Sequence, residues 1–452
     1  MLNTTEKSTA ASPEAAMTLA FCCNEISRVP ESTHAASRRT LLDALGVAAA
    51  GALTEGGQAS KRAAAAIWGQ GSAPVWFSGE TLTPAGAAFV NATYAAALDL
   101  DDGHRQASGH PAAAIVPGIL AIAGGSSIDA DRLLTAIALG YEVAVRISAA
   151  RDINRLRTTD TGLWCGPGVA AATGWLTGQS IPVIAHAIAI AAQTATSQAA
   201  TGWTKIGHTV KEGIPWATAN GLMAVSLAAA GHRGPLDILD DPDQYSRQRL
   251  LNGFGDIWAI EQAYFKLYSC CRWAHAAIDG ALALTARNAV DPEHIQNLSV
   301  ETFDRALTLP NQSDPQSVEA AQYSIPFCVA LALVHGERAL LPMDQCHLSD
   351  PRVIGLARRI TLSSSNAYAD AFPDMTPARV TIGAEGLRDS IEVLFPKGEP
   401  KNPLSSADLM DKFAILSSAL GTVRSSAIAG SVTGLGINQE PPALFAALAL
   451  ST

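Results

Sequence analysis

A dense group of acids and histidines follows an Ala-rich segment in "AAALDLDDGHRQASGHPAAAIVPG", residues 95–118. Asp99, Asp101 and Asp102 come where a helix is predicted to end, and His104 and His110 follow. Carboxylates at the negative end of a helix dipole cost up to about 1 kcal/mol each. Residues that oppose their local electrostatics are often part of a functional site. A solvated loop with an Asp cap for the next helix is the other interpretation.

Carboxylates beside imidazoles can do two kinds of chemistry. They can bind a divalent metal ion, or they can transfer protons, with a carboxylate orienting an imidazole that titrates near neutral pH. Asp99 and Asp102 are three residues apart and are predicted to share one helical face. The sequence has no H-E-x-x-H or similar metal signature. We therefore predict proton transfer and no metal, with a metal site as the alternative.

A second group of cations lies in "TGWTKIGHTVKEGIPWATANG", residues 201–221. Lys205, His208 and Lys211 precede Pro215, which suits the first turn of a helix. The free N–H groups at a helix start favour anions. This segment therefore indicates an anion site, and a basic solvated loop is the alternative.

A third group lies in "AYFKLYSCCRWAHAAIDG", residues 263–280. Lys266, Arg272 and His275 contribute positive charge. Cys271 and His275 are four residues apart and are predicted to share a helical face. They could form a thiolate–imidazole pair or two metal ligands. Alternatively, both cysteines are small core residues, which is the interpretation that we favour for Cys270.

The elements that must position these groups are mostly helical. Helices are predicted at 36–53, 60–68, 84–98, 112–124, 130–150, 166–178 and 181–200. After about residue 290 the pattern changes to an α+β unit. It has a strand at 297–303, a helix at 325–336 and a β-hairpin at 378–396 that turns at Gly386. Ser405 and Ser406 are predicted N-caps for a C-terminal helix that rejoins the first helical domain.

Composition excludes several classes of protein. The chain has 452 residues, 48% hydrophobic and 16% charged, with net charge −10. No Lys/Arg-rich tract indicates a nucleic-acid partner. Seven cysteines without a C-x-x-C pair, and no signal peptide, predict a cytoplasmic protein. Residues 181–192 are predicted to form a buried helix rather than a membrane span. No P-loop or dinucleotide motif is present, so we predict no nucleotide cofactor.

Taken in order, these stretches resemble the 2-methylcitrate dehydratase (MmgE/PrpD) family. The matching segments are "LDLDDGHRQASGHPAAAIVPGILA", "TK" leading to "ANGLMAVSLAAAGHRGPLDILDD", "FKLYSCCRWAHAAIDG" and "FPKGEPKNPLSSADLMDKF". The resemblance covers about residues 15–445. It implies a mainly α fold, with a large helical domain from residues 13–268 and 401–452 and a smaller α+β lid domain at 269–400. It also implies a homodimer.

The resemblance further implies an enzyme that acts on small polycarboxylates without a redox cofactor. Family members include 2-methylcitrate dehydratase, cis-aconitate decarboxylase and iminodisuccinate epimerase, which share proton removal or delivery next to a carboxylate. Asp99, His110, Lys266 and His275 match family positions. The lysine of the second motif matches either Lys205 or Lys211.

Three positions depart from the pattern of the decarboxylases in this family. One histidine is expected near Thr159, a second falls on Cys271, and a lid tyrosine is expected near Phe327. Because these proton-handling groups differ, the resemblance argues against cis-aconitate decarboxylase activity.

The sequence therefore predicts a cofactor-independent lyase, of hydro-lyase type, for a small di- or tricarboxylic acid. His110 is the predicted acid/base, oriented by Asp99. Lys266, Arg272 and Lys205 or Lys211 are predicted to pair with substrate carboxylates. His104, His208 and His275 complete the predicted substrate-binding set. One alternative is an epimerase with Cys271 as the second catalytic group, and another is an inactive binding homologue.

Overall fold

The computed structural model describes residues 13–124, 127–156, 158–196 and 212–449. Its helices are α1 Ala15–Glu25, α2 Glu31–Gly51, α3 Glu55–Trp68, α4 Pro84–Ala96, α5 Ala112–Ala123, α6 Ala130–Ala149, α7 Cys165–Leu176, α8 Ile181–Gln193, α9 Ile214–Ala229, α10 Arg247–Leu251, α11 His275–Asn288, α12 Val318–Gln322, α13 Ile325–His335, α14 Pro351–Ala357, α15 Ser406–Leu416, α16 Thr422–Gly434 and α17 Pro441–Ala449. The strands are β1 Ala73–Pro74, β2 Thr81–Leu82, β3 Ile295–Thr302, β4 Ile360–Ser364, β5 Ala378–Ala384 and β6 Leu387–Val393. The mainly α prediction is confirmed.

Local sequence accounts for the helix boundaries near the acidic group. Thr83 caps α4 by accepting a hydrogen bond from the Gly86 N–H, and Pro84 occupies the first turn. The helix ends at Ala96, two residues before the predicted end at 98. The predicted helix 181–200 also ends early, at Gln193.

The larger core is made by closely packed helices from both ends of the chain. Leu41, Ile115, Tyr141 and Val169 are fully buried in it, together with Phe413 from the C-terminal segment. Small residues allow the helices to approach closely. A Cβ atom added to Gly168 on α7 would lie 2.5 Å from the carbonyl oxygen of Gly140 on α6, so this contact requires glycine.

The C-terminal segment joins this core through α15. Ser405 and Asp408 form a capping box at its start. Phe413 packs so closely on α2 that a Cβ on Gly46 would lie 3.0 Å from its ring. The return of the chain to the first helical domain is therefore confirmed.

The smaller core contains the four-stranded sheet, in the order β4-β3-β5-β6. β3 pairs in parallel with β4 and antiparallel with β5, which pairs antiparallel with β6. Gly386 has a φ of +69° and makes the predicted hairpin turn. Val300, Val380 and Ile382 are buried in this core, where α11 packs against β5 and α13 against β4. β4 and the short β1–β2 pair were not predicted.

The two cores separate near residue 267, close to the predicted boundary at 268. The exact division into three chain segments stays a prediction. Within the described ranges, none of the helices combines the length and apolar character that a bilayer crossing requires.

Candidate active site

A cavity lies where residues of the two cores meet. Its lining from the N-terminal part of the chain comprises Asp99, His104, Arg105, Ser108, His110, Thr159, Glu212 and Tyr264, and its lining from the lid comprises Cys271, Arg272, Trp273, Tyr323 and Phe372. Five of these residues come from the first predicted motif. The cavity is therefore the place where the predicted chemistry can occur.

Asp99 lies in a strained turn and not on a helix. Its φ is +48°, a left-handed conformation that is uncommon for residues other than glycine. Its N–H donates to the Ala96 carbonyl at 3.3 Å. The prediction that Asp99 and Asp102 share a helical face is wrong, because α4 ends at Ala96.

Asp102 points toward α5. One carboxyl oxygen accepts from the Ala112 N–H at 3.1 Å and the other from the Tyr141 hydroxyl at 2.9 Å. Burial, followed by the charges of Asp101 and Asp43, raises the pKa of Asp102 to about 8. Asp102 therefore binds the start of α5 from within the protein. The interpretation as a solvated loop is wrong, because all three aspartates of the acidic group are buried.

His110 is held through its Nδ1 atom. Nδ1 lies 2.8 Å from the Asp102 carbonyl oxygen and 3.3 Å from a carboxylate oxygen of Asp101. Because the contact from Nδ1 to the Asp102 carbonyl is the shortest that either ring nitrogen makes with Asp99, Asp101 or Asp102, we assign the proton of the neutral ring to Nδ1, which makes Nε2 its basic site. Nε2 lies 3.6 Å from Asp99 Oδ1. The ring is therefore oriented by Asp101 and Asp102, whereas Asp99, the predicted orienting residue, faces the other nitrogen.

Lys266 is fully buried behind Asp99. Its Nζ donates to Asp99 Oδ1 at 2.5 Å. Lys266 does not contribute to the cavity lining, so its positive charge acts through Asp99 rather than by direct contact with a ligand.

Asp99, Asp101 and His110 bring three ligand atoms within 4.8 Å of one another, which is close enough to hold a metal ion. The Lys266 ammonium already supplies a positive charge at Asp99 Oδ1. The prediction of no metal was made from the absence of a metal signature in the sequence, and it stays a prediction.

Arg272 is fixed entirely by the protein. Nε and Nη2 donate to Glu399 at 2.9 and 2.7 Å, Nη2 also donates to the Pro396 carbonyl, and Nη1 donates to His275 Nδ1 and the Lys397 carbonyl. These contacts use all five N–H groups of a guanidinium. Arg272 therefore has no remaining donor for the predicted hydrogen bond to a substrate carboxylate, although its charge remains at the cavity wall.

His275 lies behind Arg272 and is fully buried. Its Nδ1 accepts from Arg272, so Nε2 carries the proton and faces the Cys270 carbonyl at 3.4 Å. Burial, and then the charge of Arg272, lower its pKa well below the usual value for histidine. His275 is absent from the cavity lining. This placement favours positioning of Arg272 over the predicted substrate contact.

Cys271 lines the cavity but precedes the short 3-10 turn Arg272–Ala274, which leads into α11. The prediction that Cys271 and His275 share a helical face is therefore wrong. Burial, and then the charge of Asp99, raise its pKa to about 12. The alternative of a thiolate–imidazole pair is therefore wrong, because the thiol is protonated and His275 is bonded to Arg272.

His104 also lines the cavity, and burial lowers its pKa to about 4. Its ring is therefore neutral at pH 7. Lys205, His208 and Lys211 lie outside the described residues. The first described residue after them, Glu212, accepts from the Thr161 N–H at 3.0 Å and lines the cavity.

Sequence comparisons identify the family. The model of the MmgE/PrpD N-terminal domain matches residues 21–252, and that of the C-terminal domain matches residues 268–431. The chain belongs to the MmgE/PrpD family. Among its relatives are a cis-aconitate decarboxylase of Aspergillus terreus, 24% identical over 432 residues (87% of this chain and 86% of the relative), and the cis-aconitate decarboxylase-like protein oryM of Aspergillus oryzae, 24% identical over 402 residues (80% and 82%).

Three positions of this MmgE/PrpD chain were predicted to depart from the decarboxylase pattern, and the structure shows where each of them lies. Thr159 and Cys271 both line the cavity, so the positions where an imidazole was expected do face it. Phe327 is buried in the smaller core, but Tyr323, four residues earlier, lines the cavity. A tyrosine hydroxyl is therefore present at the site, whereas the departure at Phe327 stays a prediction.

A second buried ion pair, not predicted from the sequence, supports this MmgE/PrpD site. Lys412 on α15 donates to Asp43 at 2.5 Å and to the Leu100 carbonyl at 2.8 Å. Through the Leu100 carbonyl, Lys412 fixes the backbone between Asp99 and Asp101. Lys412 lies in the quoted fourth motif, and Asp43 is a lone acid within the apolar run "LLDALGVAAA". An acid isolated in an apolar run is the sequence signal from which a buried ion pair could have been predicted.

Proposed function

We propose that this protein is a cofactor-independent lyase, of hydro-lyase type, that acts on a small di- or tricarboxylic acid. The observation that carries the proposal is the state of His110. Its Nδ1–H is engaged by the Asp102 carbonyl, so its basic Nε2 can take a proton from the carbon next to a substrate carboxylate.

The charges around His110 suit this step. Proton loss next to a carboxylate creates an enolate-like species with additional negative charge, which fixed positive charges stabilise. Lys266 lies behind Asp99, and two arginines share the single carboxylate of Glu399. Lys205 or Lys211 remains part of the proposed carboxylate site.

The proposed elimination can be written with its bonds balanced. His110 takes the proton, the electrons of the broken C–H bond form the C=C bond, and the C–O bond breaks. The departing hydroxide takes a proton and leaves as water. We assign that proton to the hydroxyl of Tyr323, which lines the cavity; the proton held by His110 then returns to the tyrosinate through solvent and closes the cycle.

The relatives support lyase chemistry on a small carboxylic acid. One is a cis-aconitate decarboxylase, and another is a cis-aconitate decarboxylase-like protein. We propose loss of water rather than loss of CO₂, because Thr159 and Cys271 occupy the two cavity positions where the decarboxylase pattern has histidine.

Epimerisation is the second candidate, and the position of Cys271 favours it. An epimerase needs groups on both faces of one carbon, and the protonated Cys271 thiol could deliver a proton to the face opposite His110. A thiol with a pKa of about 12 is protonated at neutral pH, so Cys271 would begin the cycle as the proton donor, and its thiolate would regain a proton before the next turnover.

The test is incubation with citrate, 2-methylcitrate, cis-aconitate and iminodisuccinate in D₂O, followed by NMR. We expect C–H exchange together with a new vinyl signal, or hydration in the reverse direction. Exchange with inversion and no loss of a leaving group supports the epimerase, whereas release of CO₂ contradicts our assignment. If no acid binds or reacts, the protein is the inactive homologue. The predicted homodimer is tested separately by light scattering.

A further inference from the structure

Arg105 is a second arginine in the cavity wall, and its role was not predicted. It lies in the loop between Asp101 and His110, and about 13% of its side chain is exposed. Its guanidinium carbon lies 5.0 Å from the centre of the Tyr264 ring, a distance typical of a cation–π contact.

The protein fixes only one side of this guanidinium. Nε donates to Glu399 Oε2 at 3.1 Å, and Nη2 donates to Glu399 Oε1 and to the Thr376 hydroxyl at 2.9 Å. These bonds use three of the five N–H groups. Among the residues that the structure describes, none accepts a hydrogen bond from Nη1. Arg105 thus differs from Arg272, whose five donors are all used.

Arg105, Arg272 and Glu399 together carry a positive charge. Glu399 is the single carboxylate bonded to both arginines. Burial alone would raise its pKa, but Arg272 and Arg105 outweigh that effect and lower it, so Glu399 stays ionised. Two guanidiniums against one carboxylate leave a net charge of +1 at the wall.

We propose that Arg105 forms a carboxylate-binding subsite, in which its Nη1 group bonds the substrate carboxylate farther from the carbon on which His110 acts. The subsite rests on the proposed function and makes it more specific: it selects acids with at least two carboxylates. Glu399, Thr376 and Tyr264 hold the guanidinium plane in advance, so little conformational freedom is lost when the ligand binds.

The experiment measures the binding of three matched acids by calorimetry: propane-1,2,3-tricarboxylate, glutarate and butyrate, which carry three, two and one carboxylates on the same carbon chain. Binding needs no turnover. We expect R105M to weaken the tricarboxylate and glutarate by about 10- to 100-fold, the usual effect of losing a charged hydrogen bond, and to change butyrate by less than 3-fold. R105K should recover part of the loss, because it restores the charge but not the guanidinium fork.

Two further variants make the result decisive. R233M, at an exposed arginine outside the cavity lining, should bind all three acids as the wild type does. T376V keeps Arg105 but removes one bond that orients it, and should weaken the tricarboxylate by about 3- to 10-fold. If R105M does not fold, T376V provides the test instead. R105M is expected to fold because Glu399 keeps its ion pair with Arg272 in that variant.

The outcomes separate the two proposals. If the wild type binds the polycarboxylates and R105M and T376V bind them equally well, the subsite is overturned while the proposed function stands. If the wild type binds none of the three acids, the proposed function fails and the subsite fails with it.

Discussion

Lys266 and Asp99, 167 residues apart in the chain, meet at 2.5 Å in the interior beside the cavity. The same oxygen of Asp99 lies 3.6 Å from His110 Nε2. One carboxylate therefore links the lysine of the third motif to the histidine of the first. This geometry lets a fully buried lysine influence the basic nitrogen without touching a substrate.

Replacing His110 should slow the reaction strongly without unfolding the protein. We expect H110Q to lower kcat by about 10²-fold or more, because a positioned acid/base contributes 10²- to 10⁴-fold, and to change KM by only a few-fold. Steady-state kinetics on the acid identified by NMR provide the measurement. H232Q, at an exposed histidine, is the matched control. Wild-type kcat in H110Q would remove this histidine from the mechanism.

Removing the charge of Lys266 should cost stability as well as activity. In K266M the Asp99 carboxylate stays buried without its ammonium, a change that typically costs about 3–5 kcal/mol. The double variant D99N/K266M should recover most of the free energy of unfolding, measured by urea denaturation, yet remain inactive. K401M, at an exposed lysine, should alter stability by less than about 0.5 kcal/mol. Recovery of activity in the double variant would show that the pair is purely structural.

The raised pKa of Asp102 predicts a pH-dependent stability. An unfolded Asp titrates near 3.9, whereas in the folded protein the pKa of Asp102 is about 8. Between these values the folded state binds more protons than the unfolded state. The contribution of Asp102 is therefore fully present below about pH 4 and is lost as the pH rises toward about 8, by at most about 1.4 kcal/mol per pH unit.

D102N removes that titration, since its side chain is neutral at every pH. Urea denaturation of both proteins at several values between pH 4.5 and 8.5 should show the wild type losing stability relative to D102N as the pH rises. If the free energies of unfolding of the two proteins change with pH in parallel, Asp102 is ionised throughout this range.

Cys271 distinguishes the two candidate reactions. For the hydro-lyase we expect C271S to keep kcat within about 3-fold, because Cys271 takes no part in the proposed elimination. For an epimerase, loss of the second proton donor should lower inversion by about 10²-fold. Chiral analysis of the product, combined with deuterium incorporation, measures both quantities in one experiment.

Metal removal tests the remaining interpretation of the acidic group. Because the Lys266 ammonium sits against Asp99, we expect dialysis against EDTA to leave kcat unchanged. A loss that Mg²⁺ or Zn²⁺ restores would establish Asp99, Asp101 and His110 as a metal site.

Much of the fold was predictable because its signals are local. The helices near 84–96, 112–123 and 130–149 carry caps, prolines and apolar faces that need no tertiary information. The hairpin around Gly386 has alternating strands and a turn residue. β4 was missed because its parallel partner, β3, is distant in sequence.

The site was predictable in its residue types but less so in its contacts. Asp99, His104, His110 and Cys271 do share one cavity. The direction of each side chain depends on tertiary partners that sequence spacing does not encode. Glu399 determines which donors of Arg105 and Arg272 are used, and it lies more than 120 residues from either arginine.

The Lys412–Asp43 pair, separated by 369 residues, has a consequence for biosynthesis. Asp43 and the acids after α4 leave the ribosome long before Lys266 and Lys412 are translated. Burying those carboxylates without counter-ions is costly, so we expect the nascent helical half to close around them only when the lysines are present. The segment that forms the lid must be translated before α15 supplies the final cation. Vectorial folding of this chain is therefore completed only near the end of translation.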